Sequence, residues 1–197
     1  MKVGDAIAEI LKREGIETII GYPVNHLLEY AAMADIRPII VRQERTGIHM
    51  ADAMSRLSSG RKLGVFVMQV GPGTENSYGA IAQAFSESVP ILVMPGGYAR
   101  RLAHIEPNYN ATLSMRSITK SAEPLNVPAD IPSVMRRAFS RLRNGRGGPV
   151  LVEIPTTSGT RRCRSRSTTA PCSRPAAAPI PRRSRRRWRC WWRPAGR

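Results

Sequence analysis

Residues 63–76 read Leu63-Gly64-Val65-Phe66-Val67-Met68-Gln69-Val70-Gly71-Pro72-Gly73-Thr74-Glu75-Asn76, and this stretch decides the fold. Its first eight residues are nearly all apolar. Such a run, closed by a tight turn, suits a strand of a parallel sheet with both faces covered by helices. Gly71-Pro72-Gly73 supplies the turn, because two glycines around a proline permit close backbone approach to a ligand. Thr74 is suited to cap a following helix that runs to about Glu87. The turn is no P-loop, since no Gly-Lys-Ser/Thr follows, and its glycine spacing is wrong for a dinucleotide fingerprint.

The same alternation extends in both directions. Val3, Ile7, Ile10 and Leu11 share a helical face, and Gly15 stops it. Thr18-Ile19-Ile20 is a short strand ending at Gly21-Tyr22-Pro23. A helix over 26–34, a strand over 38–41 and a helix from Glu44 to Leu57 come next. Beyond the opening stretch, 89–94 and 150–154 are further apolar strands. Ile131, Val134, Met135, Ala138, Phe139 and Leu142 make an amphipathic helix ahead of the last one. The pattern predicts an α/β fold: an open, mostly parallel sheet of about six strands with helices on both faces. Ligands of such sheets sit outside the carboxyl ends of the strands. The loops to inspect are therefore Gly21-Tyr22-Pro23, Arg42-Gln43-Glu44 and Gly71-Pro72-Gly73-Thr74.

The charge of +17 is concentrated at one end. Residues 161–197 hold 13 Arg, no Lys and no acid, which leaves +4 for residues 1–160. All three cysteines and all three tryptophans also lie beyond residue 160, so the body has neither a disulfide framework nor a thiol catalyst. Acidic residues interrupt the opening segment where a secretory signal would be apolar, and no apolar run spans a bilayer. The expectation is a cytoplasmic domain over 1–157 and a disordered Arg/Pro-rich segment over 158–197. That segment's composition resembles a GC-rich coding region read in a shifted frame, with the shift between about Pro155 and Arg166. An Arg/Trp-rich segment can also bind phosphates and stack on bases, so a nucleic-acid binder is a competing reading.

Glu44 follows a strand and opens a helix. A carboxylate there stabilises the helix dipole, and it can equally be aimed at a ligand. The Gly71 turn is likewise open between a structural strand-to-helix connection and a ligand-facing one. His49 reads as an interface or core residue in preference to a catalyst. The small Gly47, Ala51 and Ala53 would also suit a non-catalytic scaffold that dimerises through the Glu44 helix.

In order, these pieces resemble the thiamine-diphosphate enzymes, nearest to the acetolactate synthase group. Gly21-Tyr22-Pro23 is similar to the family's early Gly-Tyr-Pro loop. Arg42-Gln43-Glu44, with His49-Met50-Ala51-Asp52 and Arg56, resembles its glutamate helix. Gly71-Pro72-Gly73-Thr74-Glu75-Asn76 is similar to its Gly-Pro-Gly turn. Ser88 to Leu92, Ile118-Thr119-Lys120 and Gly147 to Pro155 resemble three later markers. Val24-Asn25, Ala53-Met54-Ser55 and Glu106 to Asn110 depart from the pattern, the last where the family carries Phe-Gln.

The resemblance implies a pyrimidine-binding domain that takes the pyrimidine end of thiamine diphosphate. Glu44 would hydrogen-bond ring nitrogen N1′ and favour the imino tautomer that activates the thiazolium C2. Gly21, Tyr22, Pro23, Gly71, Pro72, Gly73 and Asn76 would line the cofactor. The substrate would be a 2-keto acid, foremost pyruvate, undergoing carboligation or decarboxylation. In this family Mg²⁺ and the diphosphate belong to a second domain, whose motifs the sequence does not contain, and FAD is not expected. The chain would then supply half a site, inactive alone and completed in a homodimer or by a chain carrying the pyrophosphate domain. Specific nucleic-acid and membrane partners are not expected.

Overall fold

Apolar residues spaced for one helical face and for alternate strand faces sort here into two layers of side chains. The computed structural model describes residues 2–99, 101–103 and 105–155. The Arg-rich segment over 158–197, with its expected disorder and frame shift, lies outside the described residues. In chain order the elements are α1 (Val3–Arg13), β1 (Thr18–Gly21), α2 (Leu27–Met33), β2 (Arg37–Ile40), α3 (Glu44–Leu57), β3 (Gly64–Met68) and α4 (Pro72–Ser86). There follow β4 (Ile91–Gly97), a short α5 (Ala111–Ser114), β5 (Ser121–Pro124), α6 (Ile131–Arg143) and β6 (Val150–Pro155), with 3₁₀ turns at Arg116–Ile118 and Pro128–Asp130.

The six strands form one sheet in the order β2-β1-β3-β4-β6-β5, and every neighbouring pair is parallel. Side chains of successive strand residues point to opposite faces. On one face Ile19, Val65, Val67, Leu92, Met94, Val150 and Val152 pack with α1, α2 and α6. On the other, Ile20, Phe66, Met68, Ile91, Val93 and Leu151 pack with α3, α4 and Met115 after α5. This two-sided burial explains the unbroken apolar runs of β3 and β4.

Two contacts fix helices to the sheet. Gly64 and Gly47 leave room for close approach: a Cβ at Gly64 would overlap the Ala51 carbonyl, and one at Gly47 would overlap the Phe66 ring. The α1 and α6 ends are joined by an ion pair between Glu14 and Arg143, whose side chains are 8% and 16% exposed.

Two local expectations are corrected. The helix after the Gly71 turn starts at Pro72, with Gly71 and not Thr74 in the cap position. Gly71 adopts φ 62°, which a residue with a Cβ rarely takes, and Pro72 at the first helical position has no N–H to satisfy. The Thr74 hydroxyl instead donates to the Gln69 carbonyl at 3.2 Å. The edge strand β5 had no range predicted for it, because Ser121-Ala122-Glu123-Pro124 carries no apolar run and pairs only with β6.

Candidate functional site

Strand order turns the carboxyl edge of the sheet into a crevice. The chain leaves β1 toward the α2 face and leaves β3 toward the α4 face, and β1 and β3 are neighbours. Adjacent strands whose connections part to opposite faces open a ligand crevice between them. The three loops singled out by sequence all end at this place.

Glu44 enters from β2. Val41 N–H donates to the Gly21 carbonyl at 3.0 Å, the extended Gln43 caps α3, and Glu44 is the first helical residue. Its side chain does not reach solvent as a mere dipole partner would; the residue is 6% exposed. A buried carboxylate is costly unless hydrogen-bonded. Asn76, one turn into α4, supplies the bond: its Nδ2 donates to Glu44 Oε2 at 2.7 Å. The other oxygen, Oε1, accepts no hydrogen bond from the described residues. It lies beside Gly73, where a Cβ would come within 2.9 Å of it. The site thus ties one oxygen and leaves the other available, next to backbone without a side chain.

The remaining expected residues sit around this pair. Pro72 follows Gly71, and a Cβ at Gly71 would come within 2.8 Å of the Tyr98 hydroxyl. Gly21 ends β1 under tight packing, since a Cβ there would meet Val67 and Leu28 at 2.5 and 2.8 Å. Tyr22 is half-buried with its N–H donated to the Val67 carbonyl at 3.1 Å, and Pro23 is exposed at the same edge. The fold therefore brings Glu44, Gly73 and Asn76 into contact and places Gly71 and Pro72 beside them. Gly21 ends the neighbouring strand and Tyr22 and Pro23 follow it, with no hydrogen bond to Glu44 among the described residues.

Other sequence markers take structural parts. Gly47 and Ala51 face Phe66 and Gly64 of their own sheet, so of the three small residues only Ala53 is free for another chain. His49 is exposed on α3, which leaves no core role for it. Asp52 is buried and holds Arg56 through two bonds of 2.7 and 3.1 Å. In the Ile118-Thr119-Lys120 marker, Thr119 donates to the Met115 carbonyl, and the Lys120 ammonium donates to the Arg141 and Asn144 carbonyls at the end of α6. Burial, and then Arg141, hold Lys120 below the ordinary lysine range.

Three residues escaped the sequence reading. Asn25 donates from Nδ2 to the Met68 and Met94 carbonyls at 3.0 and 3.3 Å, while its Oδ1 accepts from Leu27 N–H. It ties the β1 loop across the ends of β3 and β4, a part that its departure, with Val24, from the family's loop pattern did not announce. Tyr98 gave no signal. Glu153 gave one, a lone acid inside an apolar strand. Burial pushes its carboxyl up to about 7, offset in part by the backbone N–H of Thr112. Among the described residues no cluster of three metal-binding side chains occurs, and no helix is long and apolar enough to cross a membrane.

Comparison with known proteins follows the same lines. The family described as "Thiamine pyrophosphate enzyme, N-terminal TPP binding domain" matches residues 1–119. The chloroplastic acetolactate synthase of Arabidopsis thaliana is 33% identical over 160 residues, covering 78% of this chain and 24% of that protein. The acetolactate synthase isozyme 3 large subunit of Escherichia coli is 30% identical over 157 residues, covering 77% and 27%. The probable acetolactate synthase large subunit of Methanocaldococcus jannaschii is 33% identical over 160 residues, covering 79% and 27%. The chain spans about a quarter of the length of these relatives.

Proposed function

The chain belongs to the thiamine pyrophosphate enzymes, as an N-terminal TPP-binding domain of the acetolactate synthase-like kind, and from that premise we propose that it supplies the pyrimidine half of a thiamine-diphosphate site acting on 2-keto acids. The observation that carries this reading is the Glu44 carboxylate, buried, tied by Asn76 at 2.7 Å and open at Oε1 beside Gly73. A ring nitrogen of an aminopyrimidine presents the partner that such an oxygen lacks. A short charge-assisted bond in a dry site is strong enough to hold a proton at that ring nitrogen. Asn76 keeps the carboxylate oriented, and the bare backbone of Gly71 and Gly73 admits a flat ring close to it. Gly21, Tyr22 and Pro23 border the cofactor from β1.

When bound, thiamine diphosphate supplies an electron sink for carbon–carbon bond cleavage or formation next to a carbonyl. The diphosphate and Mg²⁺ are assigned to a second domain, on this or another polypeptide. The substrate is a 2-keto acid, with pyruvate the first candidate, and assembly is a homodimer or a complex with a chain bearing the pyrophosphate domain. FAD has no part in this half-site.

The test measures thiamine-diphosphate binding and pyruvate turnover by the chain, alone and mixed with a full-length relative, for the native protein and Glu44→Gln. The expected result is turnover in the mixed assembly that drops at least a hundredfold in Glu44→Gln. Equal turnover by the two proteins would remove Glu44 from the mechanism.

A further inference from the structure

Three successive carbonyls at the end of β3 are each taken by a different partner. Val67 accepts from the Tyr22 N–H at 3.1 Å, Met68 from the Asn25 side-chain amide at 3.0 Å, and Gln69 from the Thr74 hydroxyl at 3.2 Å. Two of these partners belong to the loop after β1 and the third to the first turn of α4. Both loops that border the Glu44 crevice are therefore fastened to one strand end. Beyond the Gln69 carbonyl the connection continues by packing. The Gln69 Cβ and the Glu44 Oε1 each lie 2.9 Å from where a Cβ of Gly73 would stand. From Asn25 to Glu44 the path is one hydrogen bond, one residue step along the chain and one packed glycine.

Asn25 is the side-chain member of the β1 loop's attachment. The Tyr22 bond merely continues the ladder between β1 and β3, whereas Asn25 reaches across with its amide. Its Nδ2 carries two N–H groups, which go to the Met68 and Met94 carbonyls, and its Oδ1 accepts the Leu27 N–H two residues on. One half-buried amide thus clamps β3 and β4 with its donors and opens α2 with its acceptor. Packing gives the loop little further support. A recess of about 210 Å³ lies between Val24, His26 and Leu27 on the loop side and Met68 and Val70 at the β3 end, and Val24 and His26 are exposed. A loop over an open recess keeps its place through its hydrogen bonds. Val24-Asn25 is also a departure from the family's loop pattern, so the resemblance does not supply the clamp.

We propose that Asn25 is a positioning residue of the Glu44 site: by fixing the end of β3 it holds the Gly71 turn, and with it Gly73 and Asn76, against the Glu44 carboxylate. The assignment rests on the reading of that crevice as a cofactor half-site, yet the geometry belongs to the cofactor-free chain and is tested there. Asn25 touches no reacting atom. Its loss leaves Glu44 able to act but lets the walls around it open, so a ligand must reassemble them on binding. That cost falls on affinity and spares turnover at saturation.

The test follows the full chain without cofactor by amide exchange and by the side-chain amide resonance of Asn76. Asn25→Asp keeps the shape and the acceptor for Leu27 but removes both donors. It should speed exchange of the Glu75 N–H, which donates to the Gly71 carbonyl, by about tenfold. The Asn76 resonance should shift, and the α6 amides should exchange as before. Asn25→Ala brings no charge beside the two carbonyls and should act in the same direction, with the Leu27 N–H freed as well. Thr74→Val removes the neighbouring link to Gln69. Combined with Asn25→Asp, it should speed Glu75 exchange by less than the product of the two single effects, because both act through one strand end. In the mixed assembly with a full-length relative, Asn25→Asp should raise the apparent KM for thiamine diphosphate about tenfold, with kcat within about twofold. Changes confined to Tyr22 and Leu27 would overturn the proposal, since Asn25 would then tie only its own loop. Equal acceleration of the α6 amides would also overturn it, as the mark of general loosening. If the amides respond as expected and the native chain takes up no cofactor, the positioning stands and the cofactor reading alone falls.

Discussion

Glu44 and Gly73 form a pair in which one residue's function depends on what the other lacks. The carboxylate lies within 2.9 Å of where a Cβ of Gly73 would stand, and the Gln69 Cβ is equally close on the other side. Gly73→Ala should therefore turn the carboxylate away from its bond to Asn76. Alanine is the better helix former by about 0.8–1 kcal/mol, which offsets part of the overpacking cost of about 1–3 kcal/mol. The expected outcome is at least a tenfold loss of thiamine-diphosphate affinity by calorimetry, with stability to urea lowered by no more than about 2 kcal/mol. Unchanged affinity would show that Gly73 does not shape the site. The sequence shows Glu44 at a strand-to-helix junction but leaves its burial open, because a carboxylate there can stabilise the helix dipole from solvent or point inward. Its bond to Asn76 was not legible, because the two residues are 32 positions apart.

At the scale of elements, the Ile118-Thr119-Lys120 marker is a fastening. A helix leaves its last four carbonyls without partners, and cations near that end also meet a favourable dipole. Lys120 reaches two such carbonyls of α6 from the start of β5. Lys120→Met keeps the aliphatic stem and removes the charge, so the loss should be about 1–2 kcal/mol, read as a lower urea midpoint with unchanged secondary structure. A midpoint equal to the native one would mean that water satisfies those carbonyls equally well. The long apolar strands β3 and β4 were readable because burial on both faces writes itself into composition. Edge strand β5 was hidden for the opposite reason: its residues are half-exposed, and Pro124 is tolerated there because an edge strand has only one neighbour to bond.

The whole molecule carries a pH dependence that follows from one strand position. The Glu153 carboxyl titrates near 7 in the folded chain, against an ordinary value of 4.5. The folded state therefore holds this proton at pH values where the unfolded chain has released it. This contribution to stability is full below about pH 4.5, declines as pH rises, and is gone once pH passes through about 7. The shift corresponds to about 3 kcal/mol for a group that is largely buried. Unfolding at pH 5 and pH 8 should show the native chain losing that increment relative to Glu153→Gln. Parallel behaviour of the two proteins would mean that Glu153 ionises like a surface carboxylate.

Periodicity and turn residues by themselves determined the α/β class, the strand and helix order over most of the body, and the three loops that follow strands at the carboxyl edge of the sheet. They could do so because alternation of buried and exposed positions is a local property of the chain. Strand order was beyond them: placing β6 between β4 and β5 depends on which face each connection crosses, and no local pattern encodes that. Tertiary structure alone therefore decided that Asn76 holds Glu44, that Asn25 ties three strand ends together, and that a lone acid in an apolar strand faces a cavity. Each of these is a meeting of residues distant in sequence, fixed by how two faces of one sheet share their helices.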